Sequence, residues 1–392
     1  MKKIAERVTK LPVFYFAALA PKLRELVAEG MDVIRLDIGS PDLPPPAAVL
    51  SALAESAFQS DRHGYVPQKG IPALREAWAV LYKKRFGVEL DTEREIVPLL
   101  GSKEGIFHLT QAFAEEGDVV LVPDPGYVTY ASAALFSGAE PYFMPLRPEK
   151  GFLPDLGAIP EDVARRAKIL WLNYPNNPTG AVATSAFFEQ ACAFAVCHDL
   201  LLCHDAAYTQ VTFEGFRASS ALEVKEAEGR IVEFNTLSKS HNMAGWRVGV
   251  AVGDRQVLET LYRLKTHADS GHFLPIHEAA IIAMTGDQDW IASRNAVYQR
   301  RRDLLAEALV ELGADFERPL GGLYIWCACP EGWTSLRFAE ALLEEAGVSV
   351  APGVMFGAQG EGYVRISLCV PEERLCEAAE RLREWWRKEG RP

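Results

Sequence analysis

Between residues 95 and 253 the chain repeats one arrangement: a short apolar run, a loop, then a stretch with helical spacing. The apolar runs are EIVPL (95–99), VVLV (119–122), EPYFM (140–144), KILWLN (168–173), LLLCH (200–204), IVEFNT (231–236) and RVGVAV (247–252). Helical patterns lie among them at 103–115, 127–137, 184–197 and 254–265. A strand that is apolar throughout must be covered on both faces, and a helix between two strands returns the second parallel to the first. The pattern predicts an α/β fold with a mostly parallel seven-stranded sheet between layers of helices.

After residue 285 the pattern changes. Residues 286–312 read as one long helix, and strands are expected near 314–317 and 322–329. A helix near 335–346, strands near 348–350 and 361–369, and a last helix near 371–388 follow. Pro41, Pro44, Pro45 and Pro46 mark a boundary near the start of the chain. The expected organisation is a large domain, 47–285, and a small α+β domain made of both chain ends, 1–46 and 286–392. No internal repeat or long linker interrupts this.

Ligands of open parallel sheets bind outside the carboxyl ends of the strands, and four loops there carry unusual residues. GSKEGIFHL (101–109) puts Ser102 and Lys103 where a helix begins. Free N–H groups and the helix dipole suit a phosphate there, although Ser102 could equally be a plain helix cap. NYPNNPTG (173–180) holds Asn173, Asn176 and Asn177 around two prolines, more amides than a turn needs. HDAAY (204–208) ends a buried strand on Asp205, which is costly unless a cation or donors meet it. That cation could be a side chain or a protonated ring nitrogen of a cofactor, and Tyr208 can face the same point.

The fourth loop is NTLSKSHNMAGWRVG (235–249), in which Lys239 stands alone among small and neutral side chains. A desolvated amine is a nucleophile that forms Schiff bases; the plain alternative is a lysine reaching out to solvent. Arg247, eight residues on, can supply charge for a phosphate. Gly245, Gly249 and Gly253 do not make a dinucleotide fingerprint. In YVRISL (363–368), Arg365 shares one strand face with Tyr363 and Ser367, opposite the apolar Val364, Ile366 and Leu368. It can grip a carboxylate or pair with an acid of the chain. A phosphate seat, an acid for a ring nitrogen, a Schiff-base amine and a carboxylate clamp are what a pyridoxal phosphate enzyme acting on amino acids requires.

Composition removes other classes. The chain has 41 basic and 53 acidic residues, a net charge of −12, and no basic tract, so neither nucleic acid nor an anionic membrane surface is an expected partner. No apolar stretch reaches the length of a membrane span. The seven cysteines are odd in number and fit reduced thiols in the cytoplasm. CHDLLLCHD (197–205) has no matching Cys pair elsewhere, so no metal is expected. The N-terminal MKKIAERVTKLPVFYFAALAPK imitates a secretion signal, but Glu6 and Pro12 break the imitation, and an arm laid on the protein fits as well.

In order and spacing, NNPTG, D-x-x-Y, and S-K followed by Arg eight residues after the Lys resemble the class I/II aminotransferases of fold type I, over nearly the whole chain. The resemblance implies that Lys239 holds pyridoxal 5'-phosphate covalently and serves as general base, and that Asp205 pairs with the pyridine nitrogen. It implies that Asn177 and Tyr208 bond the ring's phenolic oxygen and that Tyr127 stacks on the ring. Ser102, Lys103, Thr236, Ser238 and Arg247 would surround the phosphate, with Tyr65 reaching it from the second subunit of a homodimer. Gly39, Asn177 and Arg365 would seat the substrate. Thr236 stands where the family often has Ser.

Within the family, LGSKEGI, VPDPGY, NYPNNPTGA, CHDAAY and SKSHNMAGWRVG are most similar to the LL-diaminopimelate aminotransferases of lysine biosynthesis, which pass an amino group to 2-oxoglutarate. Departures are His241, where Tyr is common, and the segment 265–279, which offers no Arg between Arg263 and Arg294 as a second carboxylate clamp. Aspartate, alanine and N-succinyl-diaminopimelate remain alternative donors. A C–S β-lyase would share every cofactor contact. A cofactor-sensing regulator would need a DNA-binding module, for which the expected domains leave no room.

Overall fold

A computed structural model describes residues 4–12, 15–224 and 229–388. Its strands are β1 (Ile34–Arg35), β2 (Ile96–Leu100), β3 (Val119–Asp124), β4 (Glu140–Pro145), β5 (Ala167–Asn173), β6 (Leu201–Asp205), β7 (Ile231–Thr236), β8 (Val248–Gly253), β9 (Tyr324–Ala328), β10 (Val348–Ser349), β11 (Ala351–Pro352) and β12 (Tyr363–Ser367). Seven of them form one sheet in the order β2-β8-β7-β6-β5-β3-β4. Only β8 runs antiparallel to its neighbours.

The apolar runs are continuous because both faces of this sheet are covered. Val97, Leu99, Ile169, Trp171 and Phe234 pack on one side, with Ile106 and Leu109 of the helix Ser102–Phe113 and Leu258 of the helix Arg255–Lys265. Leu170, Leu172 and Leu202 pack on the other, with Phe187 and Phe188 of the helix Ser185–Cys197. On that side Ile96, Val250 and Val252 meet Trp78 and Tyr82 of the helix Pro72–Phe86. The alternation within each strand sets which side chain goes where.

A second sheet, β11-β12-β9, is antiparallel, and β1 pairs in parallel with β10. Ile34 and Leu36 share a core with Leu305 of the long helix Asp289–Glu311, with Ile325 and Ile366, and with Leu375 and Trp385 of the last helix, Glu372–Lys388. Two expected strands are reduced. Residues 314–317 give only an isolated bridge, Phe316 to Cys327. Residues 348–350 give only β10, Val348–Ser349, which pairs with β1, and a separate strand β11 follows at Ala351–Pro352 and pairs with β12.

The helix Tyr15–Ala28 begins within the N-terminal apolar run and continues past it, where Leu23 and Leu26 pack against Leu343; Val13 and Phe14 of that run lie outside the described residues. Among the described residues no helix is long and apolar enough to cross a membrane.

Candidate active site

Strand register gathers the site. It sets Asn173 of β5 beside Asp205 of β6, and Asp205 beside Phe234 of β7. It also sets Thr236 beside Gly249, and Leu100 beside Val248. Because β8 runs the other way, its beginning lies at this edge and brings Arg247 with it. A cavity of about 440 Å³ opens here, and every expected site residue except Tyr65 lines it. Tyr65 lies outside, 94% exposed.

One end is built for an anion. Gly101 precedes the helix Ser102–Phe113 at φ 81, and a Cβ there would meet Arg247 Nη2 at 2.1 Å. Gly101, not Ser102, holds the N-cap position, and no side chain caps this helix, so the plain-cap reading of Ser102 is set aside. Gly249 is needed as well, because a Cβ would come within 2.6 Å of Ser102 N. The Arg247 guanidinium donates to Ala244 O (2.7 Å) and reaches Ser238 Oγ (3.4 Å). The Thr236 hydroxyl lies 2.8 Å from Val248 O and accepts from Ser238 N, so it caps the turn Leu237–Ser240 that carries Lys239. The Lys103 amine stands 5.8 Å from the Tyr127 ring centroid.

At the other end Asp205 is buried, and its Oδ2 accepts a 2.8 Å bond from the Tyr130 hydroxyl. Burial raises its pKa, and the Tyr130 bond works against that rise. A cation placed against this carboxylate would offset its desolvation cost. Tyr208 is pushed well above the usual phenol range, by burial first and then by Tyr324, so it stands as a neutral donor. Its hydroxyl is 2.9 Å from that of Tyr324. Lys239 Nζ lies 6.0 Å from the Tyr208 ring centroid and donates to Gly39 O at 2.5 Å. Arg294 Nη1, from the long helix, donates to the backbone carbonyl of Lys239 at 2.8 Å.

Arg365 is buried, stacked 4.0 Å from the Tyr324 ring centroid, and bonded to Asn177 Oδ1 (2.8 Å) and Asp37 O (2.7 Å). Its Nε has no partner, and among the described residues no carboxylate pairs with it. Gly39 is required by contact: a Cβ there would fall 1.8 Å from the Tyr324 hydroxyl. Of the three loop asparagines, Asn173 accepts from Asn177 N and Asn176 accepts from Thr179 N, so these two build the turn. Asn177 alone reaches Arg365.

Sequence reasoning missed Tyr130, Tyr324, Phe16, Arg35 and Ile38. All but Tyr130 line the cavity. Tyr130 had a signal, since it follows Tyr127 by three residues at the start of a helix. Tyr324 was read only as part of the strand expected near 322–329, and Phe16 as part of the ambiguous N-terminal run. His204 of the suspected Cys/His stretch is fully buried, 2.9 Å from Glu233 and 3.0 Å from Tyr174 O.

The family model for aminotransferase class I and II matches residues 31–382. The LL-diaminopimelate aminotransferase of Moorella thermoacetica is 48% identical over 379 residues, 97% of either chain. Substrate-bound BacF from Bacillus subtilis superposes with a TM-score of 0.94 at 39% identity, covering 98% of each chain. A probable N-succinyldiaminopimelate aminotransferase from Thermus thermophilus gives a TM-score of 0.89 at 40% identity, over 94% of this chain and 99% of that one.

Proposed function

The chain belongs to the class I and II aminotransferases, and from that premise we propose that it moves an amino group from LL-diaminopimelate to 2-oxoglutarate with pyridoxal 5'-phosphate. The observation that carries the reading is Arg365. A buried guanidinium with an unpartnered Nε and, among the described residues, no acid of its own faces the cavity that holds Lys239. Such a group is matched by a carboxylate brought in from outside. The family is generally dependent on pyridoxal phosphate, and the residues present fit that group: an anion seat at one end, a buried carboxylate lacking a cation at the other, and an amine between them.

When bound, pyridoxal phosphate supplies an electrophilic carbonyl and a protonated ring that draws charge away from the substrate's Cα. Ser102, Lys103, Ser238 and Arg247 would hold its phosphate, with Thr236 shaping the turn and Tyr65 of a second subunit completing the seat. Tyr127 would lie against the ring. The Asp205 carboxylate, held by Tyr130, keeps a proton on the ring nitrogen. Asn177 and Tyr208 orient the ring through its oxygen. Arg365, with Gly39 leaving the room, fixes the substrate carboxylate. Lys239 Nζ would take the proton from the substrate Cα and deliver it to the cofactor's carbonyl carbon, across the amino nitrogen that lies between the two. Passing the amino group to a second oxo acid then gives ping-pong kinetics.

We also propose the division into a large unit, 47–285, and a small one, 1–46 with 286–392. The pairing of β1 with β10 and the core shared by Ile34 with Leu375 support it. Homodimer formation is proposed with it, and so is a cytoplasmic location, which all seven cysteines being free supports.

The test mixes the cofactor-loaded protein with LL-diaminopimelate alone and follows the cofactor absorbance through one turnover. Conversion faster than with aspartate, alanine or N-succinyl-diaminopimelate is expected. No conversion would remove this donor. Release of pyruvate and ammonia from cystathionine would favour a β-lyase instead.

A further inference from the structure

Five cationic side chains line the cavity: Arg35, Lys103, Lys239, Arg247 and Arg365. The proposed function uses four of them. Arg35 is left over, and it is not a loose surface residue. Its Nε donates to Asp37 Oδ1 at 2.6 Å and its Nη2 to Asp37 Oδ2 at 2.7 Å. The Asp37 side chain is fully buried, whereas the Arg35 side chain keeps 36% of its surface open. This two-point grip fixes the plane of the guanidinium. Arg35 Nη1 donates to no acceptor among the described residues.

Residue 37 also holds the other arginine. Its backbone carbonyl accepts from Arg365 Nη2 at 2.7 Å, while its carboxylate holds Arg35. One residue therefore sets the spacing between two guanidinium groups that line the same cavity. Phe16 and Ile38 line it as well and offer apolar wall to a methylene chain. The segment 265–279 holds no second clamp. Lys265 there is spent on Glu104 and Asp269, and Arg294 beyond it is spent on the carbonyls of Lys239 and Gln210.

We infer that Arg35, through its Nη1 edge, binds the distal carboxylate of the substrate, so that the enzyme selects amino and oxo acids carrying a carboxylate at each end. This rests on Arg365 holding the first carboxylate, as proposed above. LL-diaminopimelate and 2-oxoglutarate both have the second one.

Glutarate and pentanoate test this, since they are unreactive and differ by one carboxylate. Their dissociation constants are measured on the cofactor-loaded wild type, on Arg35→Gln, and on the double variant Arg35→Gln with Asp37→Asn. The double variant avoids leaving Asp37 buried and unpaired, which could cost the fold. The wild type should prefer glutarate, and the preference should fall about 10- to 100-fold in both variants, the worth of a charged hydrogen bond. The ratio of kcat/KM for glutamate over norvaline should fall with it. An unchanged ratio, with both acids weakened equally, would overturn the inference and leave Arg35 only as support for Asp37 and Arg365. No preference in the wild type would overturn it too. A wild type that ignores LL-diaminopimelate would sink the donor assignment alone, because the glutarate preference is read without any donor.

Discussion

His241, two residues after Lys239, should make this protein lose stability in mild acid. The ring is buried and lies nearly parallel to Trp290, with 9° between planes. Ser240 Oγ donates to Thr236 O at 3.1 Å, so the 2.9 Å contact of Ser240 with His241 Nδ1 takes the ring's one proton. Nε2 then faces the interior with no proton to donate to the nearby Ala283 carbonyl and Gln288. Protonating it would bury a charge beside the Arg294 guanidinium. The pKa is accordingly pulled down to about 3, by burial first and by Arg294 next, with the Ala283 carbonyl and Gln288 offsetting part of this. An unfolded chain takes up this proton near pH 6.5, so the unfolded state binds it first as pH falls. The contribution is intact above about pH 6.5 and drains away below it, and between pH 7 and pH 5 one such histidine costs about 2 kcal/mol.

Phenylalanine keeps the ring and removes the titration. It also forfeits the Ser240 contact, about 1 kcal/mol, but equally at both pH values. The assay is the urea midpoint of wild type and His241→Phe at pH 7 and pH 5, with slopes compared to guard against partly unfolded species. His277, also pulled down to about 3 by burial, is present in both proteins and cancels. The gap between the two pH values should shrink by about 2 kcal/mol in the variant. Equal pH dependence in both proteins would refute the reasoning, for it would mean that His241 is not held neutral.

Two other substitutions probe the site directly. Tyr130→Phe removes the 2.8 Å donor to Asp205, leaving burial unopposed by it, so pyridoxal phosphate should dissociate about 10- to 100-fold more readily; an unchanged dissociation constant would show that Tyr130 does not support Asp205. Gly39→Ala sets a Cβ 1.8 Å from the Tyr324 hydroxyl, which must then leave Tyr208, and KM for the donor should rise about 10-fold or more while kcat changes less; a wild-type KM would mean that this crowding is relieved elsewhere.

These residues differ in how far local sequence could reveal them, and the difference has a physical cause. Ser102, Asp205, Thr236 and Lys239 each sit within three residues of a strand end, and a parallel sheet delivers its strand ends to one edge. Reading the apolar runs was therefore enough to collect them, and one family's motif spacing did the rest. The loop asparagines show the weaker side of such reading. Three amides looked like surplus, yet Asn173 and Asn176 are spent on the turn itself.

Tyr324, Arg35 and Phe16 belong to a different class. Tyr324 sits in β9, whose partner β12 brings Arg365 to it, and β1 finds β10 more than 300 residues away, with Ile34 beside Val348. No local period records such pairings. Tyr324 looked like core because a ring stacked on a guanidinium and a ring packed among leucines follow the same strand alternation. Arg35 carries no signal of its own in the sequence. What separates it from a surface arginine is that Asp37, its partner, is fully buried, and burial is a property of the closed fold. The residues proposed to hold the cofactor thus sit on strand ends that a local pattern can find. The contacts that would choose among substrates sit where the two ends of the chain meet, and only the assembled structure brings them together.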